Sequence, residues 1–119
     1  TLAGHTIPTI TKAADEFDRP APRIIAALPV CVTTDKVAAA ERAAKVFAVY
    51  GTLPSYRAML DREGAAGPAD IAIMGSIGEV QDRVAALADI GVTDFAAVEF
   101  GATPEEIANT REAIKGLLK

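Results

Sequence analysis

RIIAALPVCVT, Arg23–Thr33, is a nearly unbroken apolar run with no polar alternation. A strand of that composition is buried on both faces, as in a parallel sheet covered by helices. The breaker Asp18-Arg19-Pro20-Ala21-Pro22 precedes it, and Thr34 or Asp35 can cap a helix after it. Pro29 removes one ladder donor, so its expected place is near the strand's C-terminal end, where pairing loosens.

Working outward, Ile10, Ala13, Ala14 and Phe17 recur at helical spacing behind Pro8, a first-turn proline. Downstream, Val37, Ala40, Ala44, Phe47 and Ala48 predict the inward stripe of a helix running to about Tyr50. A loop with a short helix over Pro54–Arg62 follows. Ala69–Met74 is apolar but too short to assign. Ile77, Val80, Val84, Leu87 and Ile90 give the clearest helical stripe, opened by the capping box Ser76…Glu79 and closed by Gly91. VTDFAAVEF, Val92–Phe100, reads as a second strand. Thr103-Pro104-Glu105-Glu106 then opens a last helix carrying Ile107, Ile114, Leu117 and Leu118.

The chain has 119 residues, half of them hydrophobic, with no Trp and a net charge of −4. That is one globular domain at most, with a thin, alanine-rich core. The absence of a basic patch argues against nucleic acid and anionic membrane surfaces as partners. No apolar run is long enough to span a bilayer. Cys31 is the only cysteine, which excludes an internal disulfide and suits a cytoplasmic setting. The first residue is Thr rather than Met, and the chain reads as part of a longer one.

Two buried parallel strands need neighbours on both edges, since a two-stranded sheet is marginal alone. The expected fold class is therefore α/β, an incomplete piece of a (β/α)8 TIM barrel, with an open doubly wound sheet as the competing arrangement. Open strand edges predict a homodimer or other self-association.

Three segments carry a resemblance: PRIIAALPVCVT, FAVYGTLPSYRAMLDREGAAGPADIAIMG and GEVQDRVAALADIGVTDFAAVEFG. Together they resemble the C-terminal part of luciferase-like monooxygenases, in particular the actinobacterial oxidoreductases that use coenzyme F-420. The resemblance covers nearly all of residues 1–119 but only the last third or so of a family member. It implies that Arg23–Thr33 is the seventh barrel strand and Val92–Phe100 the eighth, with residues 50–76 an insertion over the barrel mouth. It also implies hydride or oxygen transfer to a small-molecule substrate with reduced coenzyme F-420, or alternatively FMN, in which the cofactor carries the chemistry. Most family cofactor contacts come from earlier strands, so no catalytic residue is carried over and the chain alone is expected to be inactive. The rival expectation is a small non-catalytic α/β binding module that self-associates through its strand edges.

Within that frame the candidate cofactor-binding residues are Gly75, Ser76, Tyr56 and Arg57, and the candidate substrate-binding residues are Glu99 and Tyr50. Gly75 and Ser76 open a helix whose free N–H groups could hold a phosphate, or Ser76 could simply cap it. Tyr56 and Arg57 could meet a cofactor's phosphate or carboxylates, or pack on the rim. Glu99, near the end of the second strand, could face a substrate or pair with a cation in the helical layer. Cys31 reads as a small core residue and His5, the single histidine, as uninvolved; no metal site or nucleophile motif is present.

Overall fold

The computed structural model describes residues 1–118. A π-helical turn over Leu2–Thr6 runs into helix α1 (Ile7–Glu16). Strand β1 (Ile25–Val32), helix α2 (Lys36–Val46), a 3-10 turn over Ala48–Thr52 and helix α3 (Pro54–Glu63) follow. A second 3-10 turn, Pro68–Ile71, leads into strand β2 (Ile73–Gly75). Helix α4 (Ile77–Asp89), strand β3 (Asp94–Glu99) and helix α5 (Pro104–Lys115) complete the order.

The sheet has three strands where the sequence predicts two. All pairings are parallel, in the order β2-β1-β3. The additional strand lies in the short apolar segment left unassigned, at three residues too brief for any periodicity to register. The α/β class is as expected. The sheet is open, and a closed barrel is not present within the described residues.

Side-chain alternation gives β1 two distinct faces. Its outer face carries Ile24, Ala26, Leu28, Val30 and Val32. Val30 and Val32 pack with Ile73, Val80, Val84 and Ala113, so α4 and α5 both cover this face. Ile24 and Ala26 pack with Val92, Leu2 and Ile7, which brings the α1 segment to the same face. The inner face carries Ile25, Ala27, Pro29, Cys31 and Thr33. Only its C-terminal end is covered, where Cys31 and Phe100 pack with Ala39 and Ala43 of α2. Ile25 stays 66% exposed, and Val98 on β3 stays 42% exposed. The expectation of burial on both faces therefore holds at the C-terminal half of β1 and fails at its start.

Pro29 sits inside β1, opposite Val98, rather than near its end. The hydrogen bonds explain why it is tolerated. Thr33 donates its N–H to Gly75 on the β2 side, whereas Ile24 and Val30 use their carbonyls on the β3 side. By alternation the Pro29 nitrogen faces β2, and the β1–β2 pairing begins only at Val30. No ladder donor is lost.

Three helix stripes also differ from expectation. In α2 the buried positions are Ala39 and Ala43, one step from Ala40 and Ala44, because a run of alanines leaves the helix's rotation to other contacts. In α5 they are Thr110 and Ala113, while Leu118 is exposed. In α1 none of the stripe is buried, and Phe17 is 76% exposed.

Thr110 is fully buried for a specific reason. Its hydroxyl accepts the Val32 N–H at 2.9 Å, beyond the last residue of β3, and donates to the Glu106 carbonyl at 2.7 Å. Thr110→Val keeps the shape and leaves that N–H unpaired, so we expect a loss of about 1–3 kcal/mol. Urea denaturation checks this: the midpoint falls while the slope stays unchanged.

Candidate functional site

The C-terminal ends of β1 and β2 open into a cleft of about 950 Å³. Ligands of parallel α/β sheets bind at this end. The cleft is walled by Thr33, Lys36, Ser76, Glu79 and Glu106, and three helices begin around it. Each start is already capped. Asp35 accepts from Ala38 N–H at 3.0 Å, Ser76 from Glu79 N–H at 3.2 Å, and Thr103 from Glu106 N–H at 3.1 Å.

Gly75 and Ser76 lie together at this rim. Gly75 has φ +145°, and a Cβ there would run into the Glu79 carboxylate. Glu79 in turn accepts the Ser76 N–H at 2.7 Å and the Lys36 ammonium at 2.8 Å. The anion at the start of α4 is thus the chain's own carboxylate. The cleft sets Asp35, Glu79, Glu105 and Glu106 against the single cation Lys36. A phosphate does not fit this charge set as it stands, and the capping reading of Ser76 is the one the geometry displays.

The Lys36 ammonium and the Ser76 N–H hold the Glu79 carboxyl down to a pKa of about 2 from 4.5. Arg23, with help from the Thr93 hydroxyl, holds Asp94 at about 2 from 3.8. Both groups therefore favour the fold above their unfolded pKa values and lose that contribution as pH falls through the folded ones. The expected result is a melting temperature that declines between about pH 4.5 and 2, less steeply in Glu79→Gln and Asp94→Asn. The groups are exposed, so added salt should shrink the difference.

Tyr50 and Tyr56 come together away from this rim. Their ring centroids are 4.9 Å apart, and the contact continues through Phe47 to Phe100, with centroids at 6.3 and 5.8 Å. This aromatic row starts on the inner face of the sheet, beside Cys31, and runs outward along the 50–76 excursion. Both tyrosines are about two-fifths exposed. Arg57 does not join them. It bonds Asp61 at 2.9 Å and the carbonyls of Ala65 and Ala66 at 2.8 and 3.0 Å, tying down the turn after α3.

Glu99 is aligned with Val30 and so belongs to the outer face, where both of its oxygens accept from Arg111 at 2.9–3.0 Å. Of the two expectations for Glu99, the structure displays the pairing with a cation of the helical layer. A cluster that the sequence does not announce lies between the two groups. Glu106 accepts from Thr33 Oγ1 at 3.0 Å, from Ala102 N–H at 2.7 Å and from Arg42 at 3.2 Å. The Ala102 N–H, with Thr33 and Arg42, keeps the Glu106 carboxyl below its ordinary range. Arg42 and Glu106 are 64 residues apart, and no local spacing links them.

Among the described residues no group of three or more His, Cys, Asp or Glu side chains could hold a metal ion, and no helix is long and apolar enough to cross a membrane. Comparison of the chain with protein-family models, with curated proteins and with solved structures finds no match.

Proposed function

We propose that this chain is the C-terminal part of a luciferase-like oxidoreductase barrel, a cytoplasmic enzyme that uses coenzyme F-420 or FMN on a small-molecule substrate. The observation that carries the reading is the half-dressed sheet. The outer face is covered by the α1 segment, α4 and α5, as the outside of a barrel is covered by helices. β1 and β3 are adjacent and parallel, and α4, the last of the three helices between them, lies on the same face as α5 after β3, while α2 covers the C-terminal end of the other face. The opposite face exposes Ile25, Ala27, Ala96 and Val98, which suits the packed interior of a barrel whose other strands are supplied elsewhere. Within the excursion from α2 to β2, Met59, Glu63 and Asp70 share a recess with Ile25, Ala27 and Leu28 at the start of β1 rather than lining the C-terminal cleft.

In this reading the chain contributes structure and one aromatic wall rather than a cofactor's anionic anchor. The acidic cleft does not suit a phosphate, and Arg57 is engaged in its own turn. Tyr50 and Tyr56 are the expected residues that remain free to touch a ring on the inner side. The cofactor, when bound to the whole protein, supplies the hydride or oxygen chemistry; these tyrosines orient and shield.

The test is a fluorescence titration of coenzyme F-420 and of FMN into the polypeptide carrying the residues encoded ahead of Thr1, beside residues 1–119. Saturable binding by the longer polypeptide alone is the expected outcome. We expect Tyr56→Ala to weaken it by about two- to tenfold, the loss of one aromatic contact worth about 0.5–1.5 kcal/mol. Binding by neither polypeptide would overturn the reading.

A further inference from the structure

We infer that α2 is a latched helix, held on the inner face chiefly by the Arg42–Glu106 pair, and that it opens as a unit when that pair is broken. The inference does not depend on the cofactor reading above.

The apolar grip of α2 is small. Its fully buried side chains are Ala39 and Ala43, and alanine buries little area. Its larger aliphatic residues point away, with Val37 71% and Val46 56% exposed. Against this stands Arg42. Its Nε donates to the Phe100 carbonyl at 2.7 Å, and its guanidinium lies 5.9 Å from the Phe100 ring centroid. The same guanidinium lies 3.7 Å from Cys31 Sγ and 3.2 Å from the Glu106 carboxylate. One side chain thus joins α2 to β1, to the end of β3 and to α5.

Arg42 and Glu106 are each about three-quarters shielded. Pairs of that kind cost more to break than surface pairs, because the remaining partner keeps its desolvation. The helix is also bounded by elements that can give. The exposed Thr34 and Asp35 precede it, and a 3-10 turn follows. Beneath it lie Cys31, Ala72 and Phe100, so opening would extend the cleft into an apolar recess. Local opening of a unit with few buried apolar contacts is a general property of folded chains.

Cys31 makes the opening measurable. It is the single cysteine and is fully buried under α2. Its rate of labelling by an aromatic disulfide reagent, under native conditions, reports exposure. We expect Arg42→Met to label at least about tenfold faster than the parent, with Glu106→Gln between the two. Lys36→Met, which breaks the exposed Lys36–Glu79 pair, should leave the rate unchanged. Low concentrations of urea separate local from global opening: the accelerated rate should stay nearly flat, since little surface is exposed. An unchanged rate in Arg42→Met, or a rate that rises with the full urea dependence of unfolding, would overturn the latch. Should Arg42→Met not fold, Glu106→Gln carries the test with the same two readings.

Discussion

We expect Ile25→Lys combined with Val98→Lys to abolish the self-association proposed for residues 1–119, while the melting temperature moves by only a few degrees. Both side chains lie on the uncovered part of the inner face, at 66% and 42% exposure. Exposed substitutions away from special features cost about 0.5 kcal/mol or less each. Ile25 is paired with Asp94, so a lysine there meets an acid rather than a like charge. Lysine on an exposed sheet is also the usual guard against strand pairing. Sedimentation velocity over a range of concentrations reads the result. On the proposed barrel reading, the same pair of substitutions in a polypeptide carrying residues ahead of Thr1 would bury two cations in the barrel interior, and that polypeptide should fail to fold. Association that persists would place the contact elsewhere on the chain, and a collapse of the melting temperature would show that this face is already packed within residues 1–119.

The second large effect is on stability. Val80 is fully buried where α4 meets β1, β2 and α5, in contact with the cluster of Val30, Val32, Ile73, Val84 and Ala113. Val80→Asp places a carboxylate there with no cation supplied by that cluster. Burial of an unpaired charge costs several kcal/mol even after relaxation. A domain of this size has about 5–15 kcal/mol in all. An alanine-rich core with one face uncovered belongs at the low end, so the variant should be unfolded by circular dichroism at 25 °C. Val80→Ala should fold and lose about 2 kcal/mol. Retention of a cooperative melt by Val80→Asp would mean that α4 is not the main cover of the sheet.

The elements that were legible in the sequence are those fixed by local chemistry. Asp35, Ser76 with Glu79, and Thr103 with Pro104 place three helix starts, because capping uses groups within three residues of each other. The two longer strands were legible as continuous apolar runs. β2 was not, since three residues carry no period. The rotation of α2 was not, since Ala39 and Ala40 differ in nothing but the partner each meets. Of the candidate site, Tyr50 and Tyr56 meet as an aromatic pair, and Gly75 and Ser76 share a rim. For Arg57 and Glu99 the sequence leaves two readings open: a charged side chain takes the nearest good partner, and the carbonyls of Ala65 and Ala66 and the guanidinium of Arg111 could not be located from spacing. The Glu106 hub joins residues from three elements and belongs to tertiary structure alone.

The central claim is that the free edge of β3 is completed by strands outside residues 1–119. Asp94 and Phe100 donate their N–H groups to β1, so by alternation those of Phe95, Ala97 and Glu99 point away from it, along the outer edge. Residue-resolved hydrogen exchange measures them directly. In residues 1–119 kept dilute and monomeric these three amides should exchange close to the free rate. In the polypeptide carrying the residues encoded ahead of Thr1 they should be slowed by about a hundredfold or more, as ladder amides of a buried strand are. Fast exchange of all three in the longer polypeptide would contradict the barrel and leave a small, open-edged α/β binding module in its place.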